Sequence, residues 1–301
     1  MKFDSLIALA ESLKIKYCLN EAMSLHTSFK IGGAADIMLY PENEEQLIKI
    51  LETAKNRNIP VFILGKGSNL LVSDEGIEGA VISTLSMQGI TVIDQTTIKA
   101  DAGVTMAALC RAARDNSLCG LEFAYGIPGT VGGALYMNAG AYGGDMSMVV
   151  KSATSLGENF EPVTRSNEEM ALGYRKSIFD ENREIITSVT FSLKKGDKQE
   201  ITAAMDNFMN KRKKSQPLEY GSAGSTFKRP EGYYAAALID ECGLKGVNVG
   251  DAEVSVKHAG FVINKGGATC NDVLELIEQI KKTVMEKRGI ELNTEVIHIG
   301  R

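Results

Sequence analysis

The segment from Glu122 to Asp145, EFAYGIPGTVGGALYMNAGAYGGD, decides which fold this chain can adopt. Glycines recur in this glycine-rich segment at positions 126, 129, 132, 133, 140, 143 and 144. Glycine lowers stability where it has no task, so this density predicts backbone passing close to a bulky group, commonly a phosphate held by main-chain N–H donors. The glycines follow no Gly-x-y period and alternate with apolar residues such as Val131 and Leu135, which argues against collagen and against a flexible linker. We therefore predict a structured loop that faces a ligand; a purely structural turn region is the alternative.

The composition of the whole chain describes an ordinary globular protein. Its 301 residues are enough for two or three domains, with 44% hydrophobic and 24% charged residues. The net charge of −5 gives no basic surface, so we expect no nucleic-acid partner. The five cysteines contain no C-x-x-C pair, which favours reduced thiols over a metal site or disulfides. No apolar run approaches the roughly 20 residues of a membrane span, and the N-terminus predicts a short amphipathic helix rather than a signal peptide. We expect a soluble cytoplasmic protein without a membrane partner.

A second glycine loop lies earlier in the chain. Apolar residues at 47, 50, 51 and 54 predict a helix, and VFILG at 61–65 predicts a buried strand, which together give a β-α-β start. The loop Gly65–Asn69, GKGSN, follows that strand directly, where nucleotide phosphates are often received. It is neither a dinucleotide fingerprint, because Leu70 replaces the third glycine, nor a P-loop.

The later sequence predicts further strands and helices. We expect a hairpin over 90–101, a helix around residues 107–113, strands at 149–156 and 184–193, and a domain boundary near residue 196. The helix that follows places Ile201, Ala204, Met205, Phe208 and Met209 on one face. A last long helix is predicted from an Asn271 cap to Arg288, followed by Gly289 and a strand in EVIHIG.

Six motifs in one order make the chain similar to a known family. They are HTSFKIGG, LGKGSNLLVSDEGIEGAVI, AYGIPGTVGGALYMNAGAYGG, YRKSIF, SAGSTFKRP and LNTEVIHIG, and they span residues 26–300. Together they resemble the UDP-N-acetylenolpyruvoylglucosamine reductases, flavin-dependent enzymes of early peptidoglycan synthesis. The resemblance implies an α+β protein with an FAD-binding fold of the vanillyl-alcohol-oxidase type. It also implies two FAD-binding subdomains, 1–64 and 65–196, and a C-terminal substrate-binding domain, 197–301.

The same resemblance implies non-covalent FAD as the cofactor and NADPH as the hydride donor. Backbone N–H groups of both glycine loops would then hold the FAD diphosphate. The residues concerned are Gly65, Lys66, Gly67, Ser68, Asn69, Gly126, Ile127, Pro128, Gly129, Thr130, Gly132 and Gly133. His26 is expected to be a hydrogen-bonding loop residue rather than a covalent flavin attachment. No metal is implied.

Three residues are implied to act on the enolpyruvyl substrate. Hydride addition to its terminal carbon builds negative charge on the substrate carboxylate, which needs a cation or an acid beside it. Arg175 would fork onto that carboxylate, and a protonated Glu295, with its pKa raised by burial, would share the charge. Ser225 would donate the proton to the adjacent carbon from a water-excluded site. Without the family pattern, an ion-pair arginine, a solvated carboxylate and a turn serine are the simpler interpretations.

Substrate contacts are implied more loosely. Tyr174 would help to bind the substrate, although a packed core tyrosine is the alternative. One or more cations of the run 211–214 would meet the UDP diphosphate, with Lys213 favoured by its spacing from Ser225, although a solvated basic helix end is the alternative. Arg229 stands where many members have asparagine that touches substrate. Only 49 residues separate Arg175 from Ser225, which leaves no room for the substrate-clasping insertion of the longer branch.

The alternatives to this reductase are an oxidase or dehydrogenase of small alcohols on the same fold and a non-catalytic nucleotide-sugar-binding protein. The joint presence of Arg175, Ser225 and Glu295 in their motifs argues against both. The sequence does not set the oligomeric state; a monomer is the expectation.

Overall fold

The computed structural model describes residues 2–301 and mixes helices with strands throughout. The helices are α1 (Asp4–Leu13), α2 (Glu44–Asn56), α3 (Met106–Asp115), α4 (Val131–Tyr136), α5 (Ile178–Asn182), α6 (Lys198–Ser215), α7 (Ala235–Glu241) and α8 (Cys270–Arg288). Short 3₁₀ segments lie at Met23–Leu25, Thr84–Ser86, Glu122–Ala124 and Met146–Met148.

The strands are β1 (Lys16–Ala22), β2 (Ala34–Tyr40), β3 (Val61–Leu64), β4 (Leu70–Val72), β5 (Ile77–Ser83), β6 (Ile90–Val92), β7 (Thr97–Asp101), β8 (Leu118–Cys119), β9 (Gly140–Ala141), β10 (Gly144–Asp145), β11 (Val150–Leu156), β12 (Pro162–Ser166), β13 (Ile185–Ser192), β14 (Lys194–Lys195), β15 (Asn248–Val249), β16 (Ala252–Val254), β17 (Val262–Asn264) and β18 (Ile297–Ile299). They form a four-stranded sheet in the order β1-β2-β5-β3, a five-stranded sheet in the order β12-β11-β13-β7-β6 and a three-stranded sheet in the order β15-β16-β17. Three two-stranded sheets complete the set: β10-β9, β14-β8 and β18-β4.

The chain forms two compact units. Unit 1 comprises the chain up to Cys18 together with Ile37–Lys66 and Gly79–Arg212, and unit 2 comprises Leu19–Asp36, Gly67–Glu78 and Lys213–Arg301. The predicted boundaries at residues 64 and 196 separate cofactor-binding from substrate-binding regions rather than compact units. They stay a prediction.

In unit 1, the predicted helical and strand patterns are confirmed. Helix α2 buries its apolar residues at 47, 50, 51 and 54, and Asn43 caps it by accepting from the Gln46 N–H at 3.0 Å. Strands β6 and β7 form the expected antiparallel hairpin. Strand β13 pairs antiparallel with β7 and β11, and it buries Val189 and Phe191 against α3 and α4 residues of the same core. The five-stranded sheet thereby supports the glycine-rich segment, which contains α4.

In unit 2, α7 and α8 pack with the three-stranded sheet. The predicted face of α8 at residues 273, 277, 280 and 284 is buried, and Gly289 ends the helix with a left-handed φ of 67°. The predicted Asn271 cap is wrong. Thr269 is the cap: its hydroxyl accepts from the Asp272 N–H at 3.1 Å, and the Asp272 carboxylate accepts from the Thr269 N–H at 2.9 Å. This reciprocal capping box satisfies two donors at once, whereas an Asn271 cap would satisfy one.

Two findings bear on the expected setting of the protein. Across residues 2–301, none of the helices combines the length and the apolar character that crossing a bilayer requires. All five cysteines are free thiols.

Candidate active site

The glycine-rich segment folds as a loop that enters a short helix. Residues 122–124 form a 3₁₀ turn, and the loop then runs to Thr130, which caps α4 by accepting from the Gly133 N–H at 3.3 Å. The Gly132 N–H donates to Ala102 at 2.9 Å and the Val131 N–H donates to Val104 at 2.8 Å, so the helix start is tied to the chain that follows β7. These bonds hold the start of α4 in place, and the orientation of the loop toward a ligand stays a prediction.

The same loop leaves backbone donors unused. Among residues 2–301, no acceptor receives a hydrogen bond from the N–H of Gly126, Gly129 or Thr130. Backbone N–H groups that have no acceptor within the protein suit an anion, because they need no reorganisation to bind it. Gly126 is half-buried, whereas Gly129 and Thr130 are buried.

The GKGSN loop begins beside the glycine-rich segment within unit 1. Gly65 follows β3, and a Cβ placed on it would stand 2.5 Å from Thr130 Oγ1, a distance that real side chains do not tolerate. Glycine at 65 therefore allows the end of β3 to approach the cap of α4. The two loops that sequence patterns marked separately are thus neighbours at this point.

From Gly67 to Asn69, the GKGSN loop lies in unit 2. Gly67 has a left-handed φ of 60° and packs against the backbone of His26 and Thr27, so an added side chain would have no space. The N–H groups of residues 66–69 donate to no acceptor in the described chain. The Asn69 side chain is already engaged, because its Nδ2 donates to the Glu295 carbonyl at 3.0 Å. His26 Nε2 and Glu21 Oε1 are 2.7 Å apart and form a hydrogen bond, in keeping with a hydrogen-bonding loop residue.

These residues fit an FAD diphosphate. In both loops, neighbouring atoms leave no room for a side chain at some of the glycines. In both, some backbone N–H groups have no acceptor in the described chain. Within unit 1, the residues that would hold it are Gly65, Lys66 and the loop from Gly126 to Gly133, and the bound flavin would supply two-electron transfer. For Gly67, Ser68 and Asn69, which belong to unit 2, this role stays a prediction.

Arg175 lies on a tight turn that the glycine-rich segment anchors. Gly173 and Lys176 pair across the turn, and Arg175 adopts a left-handed φ of 54°. The buried Asn138 donates through Nδ2 to the Gly173 carbonyl at 2.9 Å, and the Ser177 hydroxyl donates to the Tyr136 carbonyl at 2.7 Å. A non-glycine residue held at positive φ by its surroundings is typical of functional positions.

The side chains on this turn are accessible. The Arg175 guanidinium stacks 5.1 Å from the centre of the Tyr174 ring, which is 57% exposed. The packed-core alternative for Tyr174 is therefore wrong, whereas its role in substrate binding stays a prediction. Next to the turn, burial and a 2.7 Å hydrogen bond to Asp180 raise the pKa of Tyr136 to about 12, so this phenol stays neutral.

In unit 2, the structure brings Ser225 and Glu295 onto neighbouring segments. Phe227 and Thr294 pair antiparallel, the Glu295 N–H donates to the Thr226 carbonyl at 2.8 Å, and the Lys228 N–H donates to Asn293 at 2.8 Å. Ser225 precedes this pairing and is exposed, while Glu295 is half-buried. The expected water-excluded site around Ser225 is therefore not supplied by the protein chain.

The candidate substrate residues differ in their surroundings. Lys213 is exposed at the end of α6, and its carbonyl accepts from Lys257 Nζ at 2.9 Å. Arg229 stacks 4.5 Å from the centre of the Tyr234 ring, which is 64% exposed. No sequence pattern pointed to Tyr234, since only the folded loop places it beside Arg229.

Comparisons with known proteins identify the family of the chain. Residues 35–157 match the FAD binding domain family, and residues 216–299 match the C-terminal domain family of UDP-N-acetylenolpyruvoylglucosamine reductase. The chain is 51% identical to the reductase of that name from Clostridium novyi over 93% of this chain and 91% of the relative, and 47% identical to that of Clostridium kluyveri over 99% and 98%. The crystal structure of the Thermus caldophilus reductase is 35% identical, with a TM-score of 0.80, and the alignment covers 94% of this chain and 98% of that one.

These matches confirm the predicted α+β fold of the vanillyl-alcohol-oxidase type and FAD as the cofactor. The chain belongs to the UDP-N-acetylenolpyruvoylglucosamine reductase family and is an FAD-dependent oxidoreductase.

Proposed function

We propose that this enzyme reduces UDP-N-acetylglucosamine enolpyruvate to UDP-N-acetylmuramate, with NADPH as the hydride donor. The names of relatives that are about half identical over more than nine tenths of the chain support this substrate. The observation that carries the proposal is the antiparallel pairing that places Ser225 and Glu295 on neighbouring segments of unit 2. A hydroxyl donor and a carboxyl group on paired segments suit a reaction that ends in protonation next to a carboxylate.

When bound, FAD would supply the two-electron chemistry that links NADPH to the enolpyruvyl double bond of the substrate. The substrate double bond becomes a single bond, NADPH is oxidised, and the neighbouring carbon requires a proton. In our proposal Ser225 donates that proton. Because its hydroxyl is exposed in the chain, the substrate itself covers it and excludes water there.

Arg175 and Glu295 have the electrostatic task. Negative charge grows on the substrate carboxylate as the hydride arrives, and a guanidinium presents two parallel donors that match a carboxylate. The left-handed turn fixes the backbone from which Arg175 reaches out. A protonated Glu295 shares the charge through one further hydrogen bond. Its backbone is held because its carbonyl accepts from Asn69 Nδ2 and its N–H donates to the Thr226 carbonyl. Tyr174, Lys213 and Arg229 are proposed to bind the nucleotide sugar.

The organisation of the protein completes the proposal. Residues 1–64 and 65–196 form the two FAD-binding subdomains, residues 197–301 bind substrate, and the enzyme works in the cytoplasm as a monomer.

The test separates the two half-reactions. We expect anaerobic NADPH to bleach the flavin bands of the Ser225→Ala variant as fast as those of the wild type. Return of the bands on addition of the enolpyruvyl substrate should slow by about 10²- to 10⁴-fold, the usual contribution of general acid catalysis. Ser222→Ala, which removes a hydroxyl from the same motif, is the matched control and should behave as the wild type.

Two results would contradict the proposal. If substrate restores the flavin bands of Ser225→Ala at the wild-type rate, Ser225 is not the proton donor. If the reduced wild-type enzyme is reoxidised by oxygen alone and never by the enolpyruvyl substrate, the reaction is a different one on the same fold.

A further inference from the structure

Helix α6 belongs to unit 1 up to Arg212, and one continuous face of it packs against the rest of that unit. Ile201 and Met205 are buried in the core that contains the glycine-rich segment, and Phe208 packs against the same core. One turn further along this face, Arg212 replaces the apolar residues that would continue it. Phe208 stacks on Tyr142 with ring centres 4.9 Å apart and an interplanar angle of 21°, so the last two turns of the face are seated on residues 122–145.

The Arg212 side chain reaches the glycine-rich segment itself. A Cβ placed on Gly126 would stand 3.2 Å from Arg212 Cδ and 3.8 Å from its Nη1. Gly126 is one of the residues whose N–H has no acceptor in the described chain. The guanidinium therefore lies beside Gly126, whose N–H is the first of the unused donors of the loop.

The charge of Arg212 is not compensated within the protein. Across residues 2–301, no carboxylate forms an ion pair with this half-buried guanidinium, and it donates no hydrogen bond. The ionisable group that acts on it is the Tyr142 phenol, and burial lowers the pKa of the guanidinium from its ordinary value. An arginine removed from water without a partner costs stability, and such a cost is usually offset by a bound anion.

We propose that Arg212 binds the diphosphate of FAD together with the N–H groups of Gly126, Gly129 and Thr130. The diphosphate is the anion of the cofactor that this enzyme family uses, and the forked guanidinium matches it with two parallel hydrogen bonds. The sequence pattern grouped Arg212 with the cations 211–214 as candidates for the UDP diphosphate. The structure separates it from them, since Lys213 and Lys214 are exposed while Arg212 turns onto Gly126. This inference depends on FAD alone and not on the enolpyruvyl substrate.

The experiment measures cofactor affinity rather than turnover. Full-chain holoenzyme is freed of FAD by ultrafiltration and retitrated, with flavin fluorescence as the signal. We expect Arg212→Gln to weaken FAD binding about 10- to 100-fold, the usual effect of losing hydrogen bonds between charged groups. Competition by ADP, which carries the same diphosphate, should weaken by a similar factor. Binding of riboflavin, which has no phosphate, should not change.

Matched variants separate charge from fold. Lys214 is exposed and lies two residues after Arg212. Lys214→Gln removes the same charge and should leave FAD affinity within about twofold of the wild type. Arg212→Lys keeps the charge but loses the fork, so its loss should be smaller than that of Arg212→Gln. This variant also keeps the test valid if the glutamine variant fails to fold. Thermal unfolding of the FAD-free Arg212→Gln protein should match or exceed that of the wild type, because an unpaired buried charge has been removed.

Three outcomes would overturn the inference. Unchanged FAD affinity in Arg212→Gln would show that the guanidinium does not touch the cofactor. Equal weakening of FAD and riboflavin would place its effect on the flavin ring or on the fold. If FAD affinity is unchanged and the KM for the UDP substrate, measured at saturating FAD, is raised, Arg212 binds the UDP diphosphate instead.

Discussion

Replacing Asn138 should loosen the turn that carries Arg175. Asn138 is 4% exposed and has a left-handed φ of 40°, and its side chain makes two hydrogen bonds. Its Nδ2 donates to the Gly173 carbonyl at 2.9 Å, and its Oδ1 accepts from the Ser147 N–H at 3.0 Å. The residue thus joins the glycine-rich segment to the base of the Arg175 turn.

The expected loss of stability follows from these contacts. The Gly173 carbonyl also accepts from the Lys176 N–H, and the Ser147 N–H also donates to Asp145, so neither group is left without a partner. Each lost bond then costs its net value of about 1 kcal/mol, which gives about 2 kcal/mol for both. Alanine tolerates a left-handed φ less well than asparagine, which adds about 1 kcal/mol, whereas glycine has no Cβ and adds no such strain. We expect about 3 kcal/mol less unfolding free energy for Asn138→Ala and about 2 kcal/mol less for Asn138→Gly.

The catalytic consequence should be confined to one half-reaction. In both variants we expect flavin reduction by NADPH at the wild-type rate and reoxidation by the enolpyruvyl substrate slowed by about 10-fold or more, since small displacements of a positioned group cost up to about 10²-fold. Stopped-flow absorbance of the flavin measures both steps, and parallel urea unfolding measures the stability differences.

Asn167→Ala is the matched control. Asn167 is half-buried, and its side chain likewise makes two hydrogen bonds, which it donates to the Ser147 carbonyl at 2.9 Å and to the Val150 carbonyl at 2.7 Å; none of its hydrogen bonds goes to the Arg175 turn. It should lower stability by about 2 kcal/mol without slowing either half-reaction. Wild-type reoxidation in Asn138→Ala, at a stability loss of the expected size, would refute the idea that Asn138 positions Arg175. So would an equal slowing in Asn167→Ala.

Three further predictions concern other residues. Asn69→Ala should slow reoxidation of the flavin by substrate more than it weakens FAD binding, because the Asn69 side chain donates to the Glu295 carbonyl. Stopped-flow rates and FAD titration measure the two effects, and a loss of FAD affinity alone would contradict this prediction. The Arg165 guanidinium lowers the pKa of the Glu184 carboxyl below its ordinary 4.5, so their pair stabilises the fold above that pH and the contribution is lost as pH falls through the folded pKa. The difference in unfolding free energy between wild type and Glu184→Gln should therefore shrink below about pH 4.5, and a constant difference down to pH 3 would exclude this linkage. Burial raises the pKa of the Cys110 thiol to about 12, so mass spectrometry after iodoacetamide at pH 8 should find it unmodified in the native protein, and rapid labelling would show that its site opens.

The sequence was sufficient wherever one local rule decided the structure. Apolar spacing predicted α2 and α8 because each helix buries one stripe against its own core. The start of α8 was misassigned because Asn271 and Thr269 are both good caps. The choice fell to Thr269 through its reciprocal bonds with Asp272, and the Asn271 N–H instead donates to the distant Asp74.

The candidate site was predictable only as a set of motifs. Arg175, Ser225 and Glu295 were named from their family pattern, but the left-handed φ of Arg175 and the exposure of Ser225 depend on packing. Arg212 shows the limit most clearly. In the sequence it is one of four consecutive cations, and only the orientation of α6 distinguishes the one that reaches Gly126.

The density of glycine in the glycine-rich segment has two separate physical causes. At Gly126 and Gly129 the backbone N–H groups lack acceptors, which suits a ligand that approaches the main chain closely. At Gly132 a side chain would collide with Ala102, so that glycine serves the packing of α4 on the sheet. A sequence pattern counts both kinds equally, whereas the structure separates them. Substituting Gly132 should thus impair the fold itself, while the loop before it can be altered to change ligand binding alone.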